Sequence, residues 1–221
     1  LPRGRPAARG RGRGRVTLRQ LVLLRHGRTD HNATGRMQGH HDSHLTAEGL
    51  AQAAVVAPEV ARLKPARLVS SDLRRAADTA AVVAAACGVP VEIDPRLRET
   101  HLGEWQGRTV ADIEARWPGA IATWRQDPSW APPGGEARIE VVRRSTPVVD
   151  ELDDAMADAS ESSTAVLVAH GGMIAGLVCG LLAMPIESWP AIGGIGNCRW
   201  AALARRADHP RWRLVAYNVG T

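Results

Sequence analysis

A short aliphatic run that stops abruptly on polar and small residues constrains the fold of this chain more than any other feature. Residues 21–24 read Leu-Val-Leu-Leu, and Arg25, His26 and Gly27 follow at once. A continuous aliphatic run of this length predicts a strand covered on both faces, as in a parallel α/β sheet. Ligands of such sheets bind beyond the carboxyl ends of the strands, so Arg25 and His26 are candidate functional residues.

A second aliphatic run also delivers a histidine. Residues 164–169 read Thr-Ala-Val-Leu-Val-Ala, and His170 follows directly. Because parallel strands end at the same edge of a sheet, we expect His170 to lie near His26. For the first run taken alone, a structural histidine beside a solvated arginine is an equally good interpretation. The case for chemistry therefore depends on polar residues elsewhere in the chain.

Hydrophobic periodicity and turn residues divide the rest of the chain into alternating strands and helices. Further strands are predicted at residues 66–70, 89–93 and 164–169, with two edge strands at 198–204 and 212–217. Helices are predicted at residues 46–63, 72–87, 110–117, 120–125, 136–158 and 171–183, with a kink or break at Pro147. Residues 31–44 and 94–108 are predicted loops. The alternation is typical of an α/β fold with a parallel sheet.

Composition and charge limit the class of protein. The chain has 221 residues and a hydrophobic content of 44%, which fits one good-sized domain. Six arginines within residues 1–16 account for the net charge of +5, so the expected domain, residues 17–221, is nearly neutral. It gives no reason to expect nucleic-acid binding. An Arg/Gly/Pro/Ala segment buries too little apolar surface to fold alone, so we predict that residues 1–16 are disordered.

Cysteine and histidine positions bear on compartment and metal binding. The chain has three cysteines without Cys-x-x-Cys spacing, namely Cys87, Cys179 and Cys198. This pattern predicts reduced, buried thiols and a cytoplasmic protein. No run approaches the roughly 20 apolar residues that span a bilayer, so no membrane association is expected. His40, His41 and His44 suggest zinc, but no Cys or Glu joins them at ligand spacing, which favours solvated loop histidines.

Taken together and in order, the motifs of this chain resemble those of the histidine phosphatase superfamily, whose fold is called phosphoglycerate-mutase-like. The motifs are Arg25-His26-Gly27, residues 70–76 with Thr79-Ala80, Leu97-Arg98-Glu99 with Gly103, Trp105 and Gly107, and residues 168–172. The resemblance covers nearly the whole chain after residue 15. It implies a three-layer α/β/α sandwich with a mostly parallel central sheet.

The resemblance also implies catalytic roles, which suit the chemistry of these side chains. His26 would attack phosphorus and form a phosphohistidine, and Glu99 would act as general acid and base. The phosphate oxygens would be held by charged or donating groups: Arg25, Arg75 and His170. No metal and no cofactor are expected, because the arginines take the place of a divalent ion. An ion pair with Arg96 or Arg98 is the alternative interpretation of Glu99.

The same family pattern implies residues that contact the substrate, a small phosphorylated molecule: Asn32, Gln38 and Gly171. It favours Arg75 over its neighbour Arg74 as the phosphate ligand, although both fall in the first turn of a helix. Arg74 would then be a surface or salt-bridging residue. Gln106 departs from the Glu of many relatives, which leaves one supporting contact open. Trp130, in a Pro/Gly-rich segment, suits either a lid over the site or a structural clamp over the core.

Longer stretches resemble one group within this family, the actinobacterial glucosyl-3-phosphoglycerate phosphatases. These stretches are residues 70–76, 96–107, 130–136 and 189–197. The resemblance implies hydrolysis of glucosyl-3-phosphoglycerate or of a related small phosphorylated metabolite. Two alternatives stay open: a phosphoglycerate mutase, and a polyanion-binding protein in which the phosphatase fold is only a scaffold. A homodimer is compatible with the resemblance, because dimers occur in relatives.

Overall fold

The computed structural model describes residues 18–156, 164–206 and 208–220, so the segment predicted to be disordered lies outside the described residues. Its strands are β1 (Gln20–Arg25), β2 (Arg67–Ser70), β3 (Val91–Ile93), β4 (Thr164–Ala169), β5 (Trp200–Arg205) and β6 (Trp212–Val219). They form one sheet in the order β3-β2-β4-β1-β5-β6. The first four run parallel, while β5 is antiparallel to both β1 and β6.

The register of β1 and β4 brings the two histidines together. Arg25 lies opposite Ala169, the last residue of β4, so the chain leaves both strands at the same level. His26 and His170 are therefore the first residues beyond neighbouring strand ends. This pairing places the two histidines at the same edge of the sheet, as expected from the sequence.

Helices cover both faces of the sheet. They are α1 (Asp30–Ala33), α2 (Ala47–Arg62), α3 (Arg74–Cys87), α4 (Val110–Arg116), α5 (Ala120–Gln126), α6 (Arg138–Ala155) and α7 (Gly171–Leu181). Three short 3-10 helices lie at Pro95–Leu97, Gly103–Trp105 and Ile186–Ala191. The Thr46 hydroxyl accepts from the Gly49 N–H and caps α2, and Gly88 ends α3 with a φ of 69°.

Two cores flank the sheet because alternate side chains of a strand point to opposite faces. Leu21 and Leu23 of β1 pack on the side of α6 and α7, and both are fully buried. Val22 and Leu24 pack on the side of α2 and α3, and these are also fully buried. A strand covered on both faces needs the continuous aliphatic run that the sequence shows. The predicted three-layer α/β/α sandwich with a mostly parallel sheet is confirmed.

A smaller core of tryptophans lies away from the sheet. The Trp105 ring is buried, and its centroid lies 5.9 Å from that of Trp124 and 5.5 Å from that of Trp130. Of the two interpretations of Trp130, the structure supports the clamp, because this side chain packs within the tryptophan core. The cluster holds the 94–108 segment, which carries Glu99, against α4 and α5.

Several details of the sequence prediction were wrong. The segment 31–44 is not all loop, since a capping box formed by Thr29 and Asn32 starts the short helix α1. Strand β5 is not an edge strand, because it lies between β1 and β6; of the two predicted edge strands, β6 is at an edge and β5 is not. Helix α6 passes through Pro147 without a break, and residues 157 and 158 of its predicted span lie outside the described residues.

Two of the three cysteines agree with the prediction of buried thiols. Cys179 and Cys198 are buried free thiols, whereas Cys87 is only half-buried, contrary to expectation. Burial raises the pKa of Cys179 to about 11 and that of Cys198 to about 12. Of the helices in the described part of the chain, none combines the length and apolar character needed to cross a bilayer.

Candidate active site

His26 is buried and held in one orientation. Its Nδ1 lies 2.7 Å from the carbonyl oxygen of Gly27, so Nδ1 carries the proton that this hydrogen bond needs. Nε2 is then the unprotonated ring nitrogen and carries a lone pair. Burial, followed by the positive charges of Arg25 and Arg75, lowers the pKa of His26 well below the usual value of 6.5. A neutral imidazole with a free Nε2 is the form that can act as a nucleophile.

His170 lies beside His26, with a distance of 5.2 Å between the ring centroids. Its Nε2 is 2.9 Å from the hydroxyl of Ser71, which also accepts from the Leu73 N–H. Burial and the nearby Arg75 lower the pKa of His170 well below 6.5, so the ring is neutral and carries one proton. In the tautomer in which Ser71 donates to Nε2, that proton is on Nδ1, which has no hydrogen-bond partner within the described residues. A ligand oxygen would satisfy this buried donor.

Arg25 and Arg75 bring positive charge to the same place. Arg75 is 1% exposed and donates to the carbonyls of Gly39 and His41, while Arg25 donates to the carbonyl of Ile195. Neither forms a salt bridge within the described chain, and the Nε of each lacks a partner there. Burial lowers the pKa of Arg75 to about 10. Two guanidiniums without salt-bridge partners in the described chain, one buried and one half-buried, favour binding of an anion.

Glu99 lies across the site at the N-terminus of α7. Its carboxylate accepts from the N–H groups of Gly172 at 3.0 Å and Met173 at 2.9 Å, and from that of its neighbour Thr100 at 2.9 Å. The alternative interpretation of Glu99 as an ion-pair partner of the nearby arginines is wrong. Arg98 binds Asp72, and Arg96 binds Asp94 and Glu151 instead.

The predicted substrate-contacting residues also line or adjoin the site. The Oδ1 atom of Asn32 accepts from the Thr29 N–H, and the Oε1 atom of Gln38 accepts from the hydroxyls of Thr29 and Ser43. These bonds leave the N–H groups of both amides available as donors. Gly171 begins α7 beside Arg25, where an added Cβ would lie 3.4 Å from the arginine Nε.

Three residues beside the predicted site contact other parts of the protein. Arg74 is exposed and its Nε lies 3.5 Å from Asp78 Oδ2, as predicted for a surface or salt-bridging residue. Gly27 is required by a close approach to helix α2, because an added Cβ would lie 2.4 Å from the carbonyl oxygen of Gly49. Packing against α2 therefore requires a glycine at this position. Gln106 keeps a supporting contact, since its Oε1 accepts from the His40 N–H.

His40 is not a solvated loop histidine, contrary to the prediction. Its ring packs edge to face against that of His101, with the centroids 4.8 Å apart, and its Nε2 donates to the carbonyl of Glu99 at 2.7 Å. Burial lowers its pKa below the usual value. Across residues 18–156, 164–206 and 208–220, no group of three or more His, Cys, Asp or Glu side chains is arranged to hold a metal ion.

Some residues that support the site were not predicted from the sequence. Asn197 donates from Nδ2 to the carbonyl of His26 at 3.0 Å and to Asn32 Oδ1 at 3.2 Å, so it fixes the turn after β1. Arg144 binds the carbonyl of Glu99, and Ser71 orients His170. The motif containing Ser71 was visible in the sequence. Neither Arg144 nor Asn197 could be placed without the tertiary contacts that connect distant parts of the chain.

Two adjoining cavities open over these residues. The smaller, of about 180 Å³, is lined by His26, Arg25 and Arg75 together with Asn32, Gln38 and Glu99. The larger, of about 650 Å³, shares Arg25, Glu99, Met37, Trp124 and Gly172 with it. The smaller cavity combines a neutral histidine, two unpaired guanidiniums and a carboxylate, which is suited to phosphoryl transfer.

Comparison with known proteins shows the family of this chain and agrees with its fold. The chain matches the histidine phosphatase superfamily (branch 1) over residues 21–220, and it belongs to that superfamily. The glucosyl-3-phosphoglycerate phosphatase of Mycolicibacterium vanbaalenii is 48% identical over 216 residues, which cover 92% of this chain and 96% of that protein. The family and the group that the motifs resemble are thus confirmed as the relatives of this chain.

A solved structure and a more distant relative define the range of similarity. A mycobacterial glucosyl-3-phosphoglycerate phosphatase in complex with VO3 has a TM-score of 0.88 at 48% identity, covering 91% of this chain and 100% of that one. A probable phosphoglycerate mutase of Escherichia fergusonii is 36% identical over 172 residues, covering 75% of this chain and 76% of that protein. The phosphatases are therefore more similar to this chain than that mutase is.

Proposed function

We propose that this protein hydrolyses glucosyl-3-phosphoglycerate to glucosylglycerate and inorganic phosphate through a phosphohistidine at His26. The observation that carries the proposal is a neutral His26, its Nδ1 fixed on the Gly27 carbonyl, beside two guanidiniums without acidic partners. The substrate is taken from relatives 47–48% identical over more than nine-tenths of the chain, which are named for this activity.

The first step transfers the phosphoryl group to the histidine. His26 Nε2 attacks phosphorus, the bond from phosphorus to the ester oxygen breaks, and a protonated Glu99 gives its proton to that oxygen. Arg25, Arg75 and the Nδ1–H of His170 donate to the remaining phosphate oxygens, whose charge is spread in the transition state. These donors are in place before the substrate arrives, so little reorganisation is needed.

The second step releases phosphate. The Glu99 carboxylate accepts a proton from water, the water oxygen attacks phosphorus, and the bond from phosphorus to His26 Nε2 breaks. The products are inorganic phosphate, neutral His26 and protonated Glu99, which is the starting state. Asn32 and Gln38, whose amide oxygens are occupied by protein donors, present N–H groups to the substrate or product.

We also propose that the protein acts in the cytoplasm. The free cysteines support this location, since Cys87, Cys179 and Cys198 form no disulfide. Free thiols are typical of a reducing compartment, where disulfides are rare.

A substrate panel tests the proposed function. Purified protein is assayed for inorganic phosphate release from glucosyl-3-phosphoglycerate, 3-phosphoglycerate, glycerol 3-phosphate and p-nitrophenyl phosphate. We expect the highest kcat/KM for glucosyl-3-phosphoglycerate. A higher kcat/KM for another ester would show that glucosyl-3-phosphoglycerate is not the preferred substrate. Interconversion of 2- and 3-phosphoglycerate without phosphate release would show mutase activity, for which the more distant relative is named.

A further inference from the structure

The larger cavity contains an arginine that the proposed chemistry does not use. Arg138, the first residue of α6, lines this cavity together with Trp124 and the glycine-rich loop 193–195. Its guanidinium lies 5.5 Å from the centroid of the Trp124 ring, and its Nη2 donates to the Trp124 carbonyl at 3.3 Å. The arginine is therefore held at the cavity wall and is not free to extend into solvent.

Arg138 has room for its side chain but no salt-bridge partner in the described part of the chain. Its stem packs over Gly176, where an added Cβ would lie only 3.2 Å from the arginine Cγ, so the glycine makes space for it. Among the residues that the structure describes, none forms a salt bridge with Arg138, although the side chain is half-buried. Burial lowers the pKa of Arg138, as expected for a guanidinium removed from water. An anion bound in the cavity would offset this cost.

The other charged groups of the cavity are less suited to that task. Arg25 also lines the smaller cavity, where it faces the phosphate in the proposed mechanism, and Glu99 is bonded to the N-terminus of α7. Arg125 is exposed at the rim. The cavity of about 650 Å³ is within the range of about 300–1,000 Å³ typical of small-molecule sites. It can hold the part of a substrate that extends beyond its phosphate.

We infer that Arg138 binds the carboxylate of a phosphoglycerate unit whose phosphate occupies the smaller cavity, and that it thereby selects carboxylate-bearing phosphomonoesters. In such a unit, two carbon atoms separate the ester oxygen from the carboxyl carbon, so the second anion lies close to the first. The shared wall of Arg25, Glu99 and Trp124 allows one molecule to occupy both cavities. The inference rests on the proposed phosphatase activity, and it deepens that activity by naming a specificity-determining residue.

A comparison of two small substrates tests Arg138. 3-Phosphoglycerate and glycerol 3-phosphate differ mainly in the carboxylate, and kcat/KM is measured for both with wild type, Arg138→Met and Arg138→Lys. We expect Arg138→Met to lower kcat/KM for 3-phosphoglycerate by roughly tenfold or more, with a change below about threefold for glycerol 3-phosphate. Arg138→Lys keeps the charge and should retain part of the preference.

A matched control variant and the glycerol 3-phosphate assay separate a loss of carboxylate binding from a general loss of activity. Arg116 also stacks on a tryptophan, Trp117 at 4.9 Å, but does not line either cavity, so Arg116→Met should leave both values unchanged. An equal loss on both substrates, or no loss on 3-phosphoglycerate, would overturn the role of Arg138. Failure of wild type on glucosyl-3-phosphoglycerate, with the ratio for the two small substrates still dependent on Arg138, would overturn only the proposed substrate.

Discussion

At the scale of single residues, the two buried histidines are the most informative feature of this protein. Both are surrounded by protein atoms and by guanidiniums, and both have pKa values well below 6.5 for that reason. Yet they bind the protein through different ring nitrogens. His26 binds a backbone carbonyl through Nδ1–H and leaves Nε2 with a lone pair, whereas His170 binds the Ser71 hydroxyl through Nε2 and leaves Nδ1 without a partner in the described chain.

These lowered pKa values predict the pH dependence of stability. Below about pH 6.5 the unfolded chain binds protons at these histidines, while the folded chain does not until the pH is much lower. The two histidines therefore do not lower the free energy of unfolding above pH 6.5, and they lower it progressively as the pH falls below 6.5. Each buried histidine should contribute at most about 1.4 kcal/mol per pH unit to the slope of the free energy of unfolding against pH.

Urea unfolding between pH 5 and 7.5 measures this slope. His26→Gln and His170→Gln should each show a shallower loss of stability with falling pH than wild type, whatever their stability at pH 7.5. The readout is the slope, so a general destabilisation by either substitution does not confuse the result. Parallel curves for wild type and both variants would mean that the folded histidines take up protons as readily as the unfolded ones.

At the scale of elements, the segment between β3 and α4 has to hold Glu99 in place without regular secondary structure. Arg144 of α6 binds the backbone of this segment. Its guanidinium donates to the carbonyls of Arg96, Arg98 and Glu99 at 2.6, 2.9 and 2.9 Å, and it binds the Glu136 carboxylate at 2.7 Å. His40 donates to the same Glu99 carbonyl from the other side. We therefore regard Arg144 as a positioning residue for Glu99, the proposed general acid.

A leaving-group comparison tests the positioning role of Arg144. Arg144→Met should lower kcat for glycerol 3-phosphate on the order of 10- to 100-fold, because an alkoxide needs a proton as it leaves. The loss should be much smaller for p-nitrophenyl phosphate, whose nitrophenolate leaves without one. The neighbouring Arg143 is exposed, and Arg143→Met serves as the control. Equal losses on both esters would show that Arg144 acts on the fold as a whole.

The sequence predicted the elements better than their connections. The aliphatic runs before His26 and His170 indicated buried parallel strands because such strands have no solvated face to interrupt the pattern. The position of β5 inside the sheet could not be predicted, since its pairing with β1 is antiparallel and depends on contacts about 180 residues apart. The same limit explains why Arg144 and Arg138, both on α6, were not recognised as site residues.

At the scale of the whole molecule, the sheet and its helices bring together groups from five separate parts of the chain. The ends of β1 and β4 supply His26 and His170, α3 supplies Arg75, and the segment before α4 supplies Glu99. Helix α6 adds Arg138 at the wall of the larger cavity. The family resemblance predicted four of these residues, because they occur in recognisable motifs. The fifth depends on how α6 packs against α7 and Trp124.

The most direct test of this account is to trap the phosphorylated enzyme. Wild type is mixed with a phosphomonoester labelled in its phosphate, quenched with alkali within milliseconds, and digested for mass spectrometry of the labelled peptide. The account predicts acid-labile phosphate on His26 that forms at a rate sufficient for turnover, and no label in His26→Ala, which should also lack measurable hydrolysis. Label on another residue, or turnover by His26→Ala, would contradict the account.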